Sequence, residues 1–386
     1  MSLFTLLTCE YPPHCGGVGD YTAQLAGALA AAGDEVTVFC PPLTSHPIEQ
    51  RGVYVIGLPD TYGPESRQTI DAWSKGRQTT LVLQYVPTAF GLRGANLPLC
   101  RWLLHRARHH RDDVQVMFHE PYFKFVWSPV RQNALAVAQR VMARTLLQAA
   151  SHAYVSTDAW RPCLAPLAPR ENYPFVTLPI PSSIPKNDRP EDSIARKRAF
   201  VNVPSQKLVG HFGTYGSHIT PILTPAIVTL LTEEPHVSMV CLGGGSDDFA
   251  RAVLASAPSL TGRLHATGRA SASEIASTLS ACDLLIQPYP DGVTTRRTSV
   301  MAGLINGCPV LTTTGLLTES VWTDTGAVAL EPAGDTTALV RTARALLADR
   351  GRRASLAAQG ERTYRERFAL THTIDRLRES VAGVLA

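Results

Sequence analysis

Short runs of apolar residues alternate with segments whose apolar residues recur at helical spacing along the whole chain. In the first half, the runs typical of buried strands are residues 3–8, 36–39, 53–56, 81–85, 114–118 and 153–155. Helical spacing follows the first run as far as Gly33 and returns at 99–108 and 134–149. Strands that alternate with helices predict a parallel sheet covered on both faces.

The same alternation begins again in the second half. Its apolar segments are residues 207–211, 237–242, 264–267, 275–279, 284–286, 310–311 and 328–330, and its helices start near Pro221 and at 336–348 and 352–368. Between Pro179 and Pro204, prolines and polar residues replace this pattern, as is typical of a linker.

We therefore expect an N-terminal Rossmann-like domain (1–180), a linker (181–205), a C-terminal Rossmann-like domain (206–368) and a last helix (369–386) that packs back on the N-terminal domain. The expected fold class is α/β, with the two Rossmann-like domains facing each other across a cleft.

The stretch 282–313 is predicted to be a βαβ unit, because two short apolar runs flank a segment with apolar residues at helical spacing. Ligands of open α/β sheets lie beyond the carboxyl ends of the strands, so the loop 289–297 is where a small molecule is expected. A purely structural loop has a use for Gly292, but none for Arg296 and Arg297 at the start of a helix. The loop is therefore predicted to bind a ligand.

Three further glycine-rich loops follow predicted strands and precede predicted helices. They contain Gly16, Gly17 and Gly19 with Asp20 as a candidate N-cap, Gly213 with Thr214, and Gly243, Gly244 and Gly245 with Asp247 and Asp248 as candidate caps. Glycines let backbone N–H groups approach a ligand closely, and helix N-termini favour negative charge. None has the G-x-G-x-x-G spacing, so a tight turn without a ligand remains the alternative for the first loop.

His119 follows an apolar run directly and precedes Glu120 and a proline turn. A histidine at the end of a strand is a candidate for contacting a polar ligand, and a hydrogen-bonded loop histidine is the alternative.

Composition excludes several classes of protein. The chain has 386 residues, 45% hydrophobic and 18% charged, which is typical of a two-domain globular protein. Its eight cysteines show no C-x-x-C pair and no zinc spacing, which favours a reducing compartment and no metal. A net charge of +4 without basic runs interleaved with aromatics argues against nucleic acid. With no targeting segment and no apolar run of about 20 residues, we expect a cytoplasmic protein.

One dense basic patch lies between Arg101 and Arg111. It consists of Arg101, His105, Arg106, Arg108, His109, His110 and Arg111. A solvated helix edge is one interpretation, and weak docking on anionic lipid headgroups at the inner face of the membrane is the other.

These motifs together resemble the retaining, two-Rossmann (GT-B) glycosyltransferases of family four. The resemblance rests on five motifs in register over nearly the whole chain: 16–19, His119, Gly213, 242–245, and the loop 291–299 leading to 307–310. In that family, two glutamates eight positions apart bind the donor sugar and the ribose. Here Asp291 occupies the first place and Ser299 the second, and a serine forfeits roughly 1–2 kcal/mol of charge-assisted hydrogen bonding.

The family also places an arginine and a lysine after the first glycine of the second domain, both on the diphosphate. This chain has Thr214 and then Ser217 and His218 there, so Arg296 and Arg297 are the expected substitutes. Glu319 falls where the family has a glutamate, and we expect it only to support a loop.

The resemblance implies sugar transfer from a nucleoside diphosphate sugar to a hydroxyl of a glycan or lipid-linked saccharide, with retention, without a metal and without a cofactor. It implies that His119 and Asp291 are catalytic. The implied donor-binding residues are Gly16, Gly17, Gly213, Thr214, Gly243, Gly244, Gly292, Val293, Thr294, Arg296, Arg297 and Ser299. Acceptor contacts are expected in the first half, around 12–15, 85–92 and 121–127, with Tyr85, Glu120 and Tyr122 as candidates.

Two alternatives remain open. A nucleotide-sugar 2-epimerase would need several acids in the first domain, where only Glu10, Asp20 and Glu120 are available. A non-catalytic sugar-nucleotide-binding protein is favoured by Ser299 and by the missing arginine–lysine pair.

Overall fold

The computed structural model describes residues 2–14, 16–42, 48–50, 52–110, 112–127, 131–203 and 205–385. The chain forms two compact units, one of Met1–Ile180 with Leu370–Ala386 and the other of Pro181–Ala369. Each unit is a Rossmann-like α/β domain with its own sheet and its own apolar core.

The first unit is built on an eight-stranded sheet. In chain order the strands are β1 (Leu3–Leu7), β2 (Glu35–Cys40), β3 (Ile48–Gln50), β4 (Val53–Gly57), β5 (Thr80–Tyr85), β6 (Asp113–Phe118), β7 (His152–Val155) and β8 (Val176–Thr177). Their order in the sheet is β3-β4-β2-β1-β5-β6-β7-β8, and only the β3–β4 pair is antiparallel. The helices are α1 (Gly17–Ala31), α2 (Pro64–Ser74), α3 (Leu97–His105), α4 (Arg131–Ala149) and α5 (Arg161–Leu164).

The last helix of the chain, α14 (Leu370–Leu385), belongs to this unit. Ile374 and Leu377 pack in the same core as Leu25 and Leu29 of α1. Between Ala369 and Leu370 the chain therefore returns to the first sheet.

The second unit has a six-stranded, fully parallel sheet. Its strands are β9 (Lys207–Phe212), β10 (Val237–Leu242), β11 (Leu264–Ala266), β12 (Leu284–Gln287), β13 (Val310–Thr314) and β14 (Ala329–Pro332), in the order β11-β10-β9-β12-β13-β14. Its helices are α6 (Pro190–Phe200), α7 (Thr220–Glu233), α8 (Ser246–Ser256), α9 (Ala272–Ala281), α10 (Thr298–Ile305), α11 (Ser320–Thr325), α12 (Thr336–Ala348) and α13 (Arg350–Thr363). The alternation read from the sequence is thus confirmed in both halves, but the apolar segment 275–279 lies in α9 and is not a strand.

Strand order decides where ligand-facing loops lie. In the second sheet the chain crosses from β9 towards β10 and from β12 towards β13, in opposite directions from two adjacent strands. In the first sheet, β1 and β5 have the same relation. Loops that diverge from adjacent parallel strands leave a crevice at the carboxyl edge, which is the usual ligand position in such sheets.

The stretch 181–205 differs from the linker expected. It clusters with the second unit and contains α6, where Arg196 pairs with Glu274 of α9 at 2.7 Å and Lys197 with Asp283 at 2.6 Å. None of the residues of α6 is buried, so the helix has no apolar stripe that a sequence pattern could reveal. Pro204 lies outside the described residues.

The basic patch of 101–111 is smaller than the sequence indicates. The Arg106 side chain is buried and binds Asp112 at 2.5 Å and Asp71 at 2.8 Å, so it is not part of an exposed surface. Arg111 lies outside the described residues. Within the part of the chain that the structure describes, no helix is long and apolar enough to cross a membrane.

Helix α10 packs so closely on the second sheet that Gly303 has no room for a side chain. A Cβ there would lie 2.7 Å from Leu285 Cδ2 and 2.9 Å from Val310 Cγ2, both on buried residues. We expect Gly303→Ala to lower the free energy of unfolding by about 1–2 kcal/mol, measured by urea denaturation, because overpacking outweighs the gain in helix propensity.

Gly27→Ala in α1 is the matched control, since no atom lies within 4 Å of a Cβ at that helical position. It should raise the free energy of unfolding by roughly 0.5–1 kcal/mol. Equal effects of the two substitutions would contradict the packing described for α10.

Candidate functional site

The loops after β9 and β12 start side by side at the carboxyl edge of the second sheet. Gln287, the last residue of β12, donates from Nε2 to the carbonyl of Phe212, the last residue of β9, at 3.0 Å. Gly213 and the loop 289–297 therefore start next to each other, at two strand ends joined by a hydrogen bond.

The loop 289–297 is folded tightly against the loop after β13. The Val293 N–H donates to the Thr313 carbonyl at 2.9 Å, and the Leu317 N–H donates to the Asp291 carbonyl at 2.8 Å. Gly292 has φ +87°, and a Cβ there would lie 2.4 Å from the Gly315 nitrogen. Only glycine fits this position, which explains it without reference to a ligand.

Glu319 supports the same loop from below. Its buried carboxylate accepts hydrogen bonds from the Thr295 N–H at 2.5 Å and from the Thr295 hydroxyl at 2.8 Å. These contacts agree with the loop-supporting role expected for Glu319. They also fix the turn that leads into α10.

Arg297 lies at the N-terminus of α10 and is partly buried. Its guanidinium carbon is 4.3 Å from the centre of the Tyr289 ring, and its Nε has no hydrogen-bond partner. Burial lowers the pKa of Arg297 from its ordinary value, while Tyr289 and Asp291 act in the opposite direction. Thr294, which is also buried, has a hydroxyl without a partner.

The Ser299 hydroxyl has a hydrogen-bond partner. Its hydroxyl is 2.7 Å from the hydroxyl of the buried Tyr289. The neighbouring Asp291 side chain is exposed, and Arg296 is partly buried. Asp291, Thr294 and both arginines thus lie on one loop of the second unit.

The loops after β9 and β10 touch each other. A Cβ on Gly243, which has φ +102°, would lie 2.5 Å from the Gly213 carbonyl oxygen. A Cβ on Gly244 would meet nothing closer than Arg269 Cγ at 4.0 Å, so this backbone is open. Thr214 is exposed and lines a cavity of about 500 Å³ with Tyr215 and Phe249.

Helix α8 begins differently from the expectation. Its N-cap is Gly245 with φ +86°, and neither Asp247 nor Asp248 caps it with a side chain. Both acids lie in the first turn, where negative charge stabilises a helix.

The glycine-rich loop of the first unit binds the carboxylate of Glu10. The Glu10 carboxylate accepts hydrogen bonds from the N–H groups of Val18 at 2.8 Å and Gly19 at 3.0 Å. A Cβ on Gly16 would lie 2.0 Å from Glu10 Oε2, whereas a Cβ on Gly17 would meet nothing within 4 Å. Cys15 lies outside the described residues.

Glu10 therefore does what the sequence assigned to Asp20. The N-cap of α1 is Gly16 and makes no side-chain cap, while Asp20 lies in the first turn with an exposed side chain. Burial, and next the Glu10 charge, raise the pKa of Asp20. The signal that could have revealed Glu10 is its place just after the first strand, six residues before a glycine-rich loop that opens a helix.

His119 lies at the end of β6 and is almost fully buried. Its Nε2 is 2.8 Å from Gln84 Oε1 at the end of β5, and its ring meets the Tyr21 ring edge-on at 5.3 Å between centroids. Its carbonyl accepts from Trp160 Nε1 at 3.0 Å. His119, Gln84 and Tyr21 thus form one polar cluster beside the crevice between β1 and β5.

The three acceptor candidates lie in different environments. Tyr85 is 1% exposed and packs edge-on against Phe118, so it is a core residue that no acceptor can reach without a rearrangement. Tyr122 donates its hydroxyl to the Cys163 carbonyl at 2.6 Å, with the Arg140 guanidinium 4.0 Å from its ring. Glu120 is partly exposed.

Among the described residues, no three His, Cys, Asp or Glu side chains are placed to hold a metal ion.

Comparison with known proteins shows the fold. No family model and no curated protein matches this sequence. Among solved structures, sucrose-phosphate synthase from Thermosynechococcus elongatus matches 100% of this chain and 99% of its own, with a TM-score of 0.76 and 16% identity. Anabaena HepE, solved with UDP and glucose, matches 99% of this chain and 100% of its own, with a TM-score of 0.71 and 13% identity.

WaaG, a glycosyltransferase involved in lipopolysaccharide biosynthesis, matches 97% of this chain and 98% of its own, with a TM-score of 0.63 and 16% identity. The expected GT-B fold is therefore confirmed, since the likeness extends over both units in all three cases.

His211, which the sequence did not single out, is a buried histidine of β9 next to this site. Its Nδ1 donates to the Ile286 carbonyl at 2.8 Å, and burial lowers its pKa to about 4. In the unfolded chain a histidine binds its proton near pH 6.5, so the unfolded state binds more protons between these values. We expect the free energy of unfolding to fall as the pH drops from about 6.5 to 4, by about 3 kcal/mol for this residue.

The measurement is urea denaturation across this pH range for the wild type and for His211→Gln, which cannot titrate. The variant should lose less stability on acidification than the wild type. Parallel pH profiles would contradict the lowered pKa of His211.

Proposed function

We propose that this chain is a retaining glycosyltransferase that moves a sugar from a nucleoside diphosphate sugar to a hydroxyl of a glycan or lipid-linked saccharide. The observation that carries the proposal is the partly buried Arg297 at the N-terminus of α10, whose Nε is buried and lacks a hydrogen-bond partner. Its setting in a GT-B fold, some members of which are solved with UDP, supports a nucleotide as the ligand.

A buried cation needs an anionic partner. Removing a guanidinium from water costs several kcal/mol unless hydrogen bonds and an opposite charge replace the solvent. The Glu319 carboxylate binds Thr295, so it stabilises the loop turn. A diphosphate offers oxygens that match the guanidinium fork, and the helix N-terminus adds favourable backbone dipoles.

In this proposal, other residues of the loop bind the sugar and the ribose of the donor. The exposed Asp291 carboxylate accepts hydrogen bonds from hydroxyls of the sugar. The Ser299 hydroxyl reaches the ribose together with Tyr289, to which it is bound.

The chemistry follows from the charges that develop during transfer. The leaving diphosphate gains negative charge while the sugar passes through an oxocarbenium-like state. Arg297, Arg296 and the helix N-terminus stabilise that charge, so the proposal requires no metal. The departing phosphate accepts the proton of the incoming hydroxyl, and His119 contacts the sugar or the acceptor.

One observation favours a second candidate, a non-catalytic protein that binds nucleotide sugars. Ser299 is a neutral hydroxyl engaged by Tyr289, where a catalytic relative would hold the ribose with a carboxylate. Hydrolysis of a nucleotide sugar by the purified protein would exclude this candidate.

Arg297→Ala and Arg296→Ala should each weaken nucleotide binding at least tenfold, which is about 1.4 kcal/mol, because a phosphate loses a charge-assisted bidentate contact. Arg297→Lys should restore affinity only in part, since an ammonium lacks the planar fork. Isothermal titration calorimetry with UDP, ADP and GDP measures this.

Arg350→Ala, at the first residue of α13, removes an exposed cation from the same unit and should leave the affinity unchanged. Wild-type affinity in both the Arg296 and Arg297 variants, or no binding of any nucleotide by the wild type, would contradict the proposed site.

His119→Ala should cut turnover by a factor of about 100 or more while changing donor affinity far less, because it acts near the reacting atoms. Turnover is followed as nucleoside diphosphate released from the nucleotide sugar that the wild type prefers. His236→Ala, an exposed histidine before β10, is the control and should have the wild-type rate. A wild-type rate in His119→Ala would remove this residue from the site.

A further inference from the structure

Two neighbouring helices of the first unit carry an unbalanced positive charge. Helices α3 and α4 lie on the same face of the sheet, since both belong to crossovers that run in one direction from β5 to β7, and they pack against each other. Residues 86–111 and 121–157, which contain them, hold nine arginines and lysines and no Asp or Glu. Such a bias over two adjacent elements is unusual in a chain of net charge +4.

The exposed basic side chains of α3 and of the π-helical turn that follows it (Arg106–His110) lie on one side. Arg101, His105 and Arg108 are exposed and follow one another at helical spacing, while Arg106 between them is buried. The His105 and His109 rings lie 4.5 Å apart between centroids. The outer side of α3 is therefore a basic stripe.

Exposed apolar side chains lie on and beside α4, the helix that packs against α3. Trp127 is 99% exposed, Leu92 is 61% exposed and Phe125 is 57% exposed. Val137 and Val141 are exposed one turn apart on α4, where a water-facing helix side normally carries polar residues. Trp127 is the most exposed large apolar side chain among the described residues.

Hydrogen bonds from two side chains of α4 hold the backbone of the neighbouring loops against this helix. Gln139 of α4 accepts from the Phe123 N–H at 2.8 Å and donates to the Gly94 carbonyl at 3.3 Å. The Asn133 amide both accepts from and donates to the Val126 backbone at 2.8 Å. The loops that present Leu92, Phe125 and Trp127 are thus fixed beside one helix, and their exposure is built into the fold.

We propose that this α3–α4 surface, made of Leu92, Arg101, Arg108, Phe125, Trp127 and Val137, docks the protein on the surface of an anionic lipid bilayer. Indole and phenyl rings enter the headgroup region, and the basic stripe lies over anionic headgroups. A nucleic acid would match the cations but would leave five apolar side chains without a partner, so the bilayer is the better fit. The surface does not span the membrane.

Membrane docking also narrows the class of acceptor, and this step rests on the proposed function. A transferase held at a bilayer by its first unit takes an acceptor presented there, so a lipid-linked saccharide is favoured over a free glycan. Lipid binding itself does not depend on transferase activity, so the two proposals can fail separately.

Co-sedimentation with vesicles of phosphatidylcholine containing 0, 20 or 40% phosphatidylglycerol tests the docking. We expect binding that rises with the anionic fraction, weakens with salt and shifts the tryptophan emission to the blue. The double variant Arg101→Glu/Arg108→Glu should bind at least tenfold more weakly, and Trp127→Ala roughly tenfold more weakly.

Matched controls lie in the second unit. Arg350→Glu/Arg352→Glu changes the net charge equally, and Ile194→Ala removes an exposed apolar side chain. Both should bind vesicles like the wild type, and circular dichroism confirms that all variants are folded. No binding by the wild type, equal binding to neutral vesicles, or equal loss in the controls would overturn the proposal, as would retardation by duplex DNA without any vesicle binding.

Discussion

The buried carboxylate of Glu319 is the contact on which the geometry of the candidate site depends. It takes both the N–H and the hydroxyl of Thr295, and so fixes the turn between Gly292 and α10. Through these two hydrogen bonds Glu319 stabilises the loop that carries Arg297. The second sheet thus presents a cation that is held in place and still has donor capacity, which is the condition for binding an anion without rearrangement.

Glycine-rich loops serve different purposes in the two units. In the first unit the helix N-terminus is satisfied by Glu10, and Gly16 is needed because that carboxylate lies where a Cβ would be. In the second unit Gly243 and Gly292 are required by neighbouring backbone, with positive φ at both. A glycine in a βα loop therefore indicates that another group lies very close to the backbone there. At Gly16, Gly243 and Gly292 that group belongs to the chain itself.

The sequence predicts most of the fold because both sheets are buried and their strands are continuous apolar runs. The sequence pattern does not reveal α2 and α6. Helix α2 buries one large apolar residue, Ile70, and α6 buries none of its residues. The chemistry-bearing loop was found because arginines at a helix start are conspicuous. The role of Glu10 was not recognised, and Glu319 was expected to support a loop without its partner Thr295 being identified, since these contacts join residues 8 and 24 positions apart through tertiary folding.

The change at position 299 alters the charge of the site as well as its hydrogen bonds. A carboxylate there would pair with Arg297 two residues away and would compete with a phosphate for the guanidinium. Ser299 is bound to Tyr289, whose ring packs against Arg297, and the Asp291 carboxylate of the same loop also acts on this cation. In the proposed donor site, Ser299 would make a weaker contact to ribose than a carboxylate would, and it would add no negative charge beside the diphosphate. A loop with two arginines and one serine would then draw more of its donor affinity from the phosphates than from the ribose.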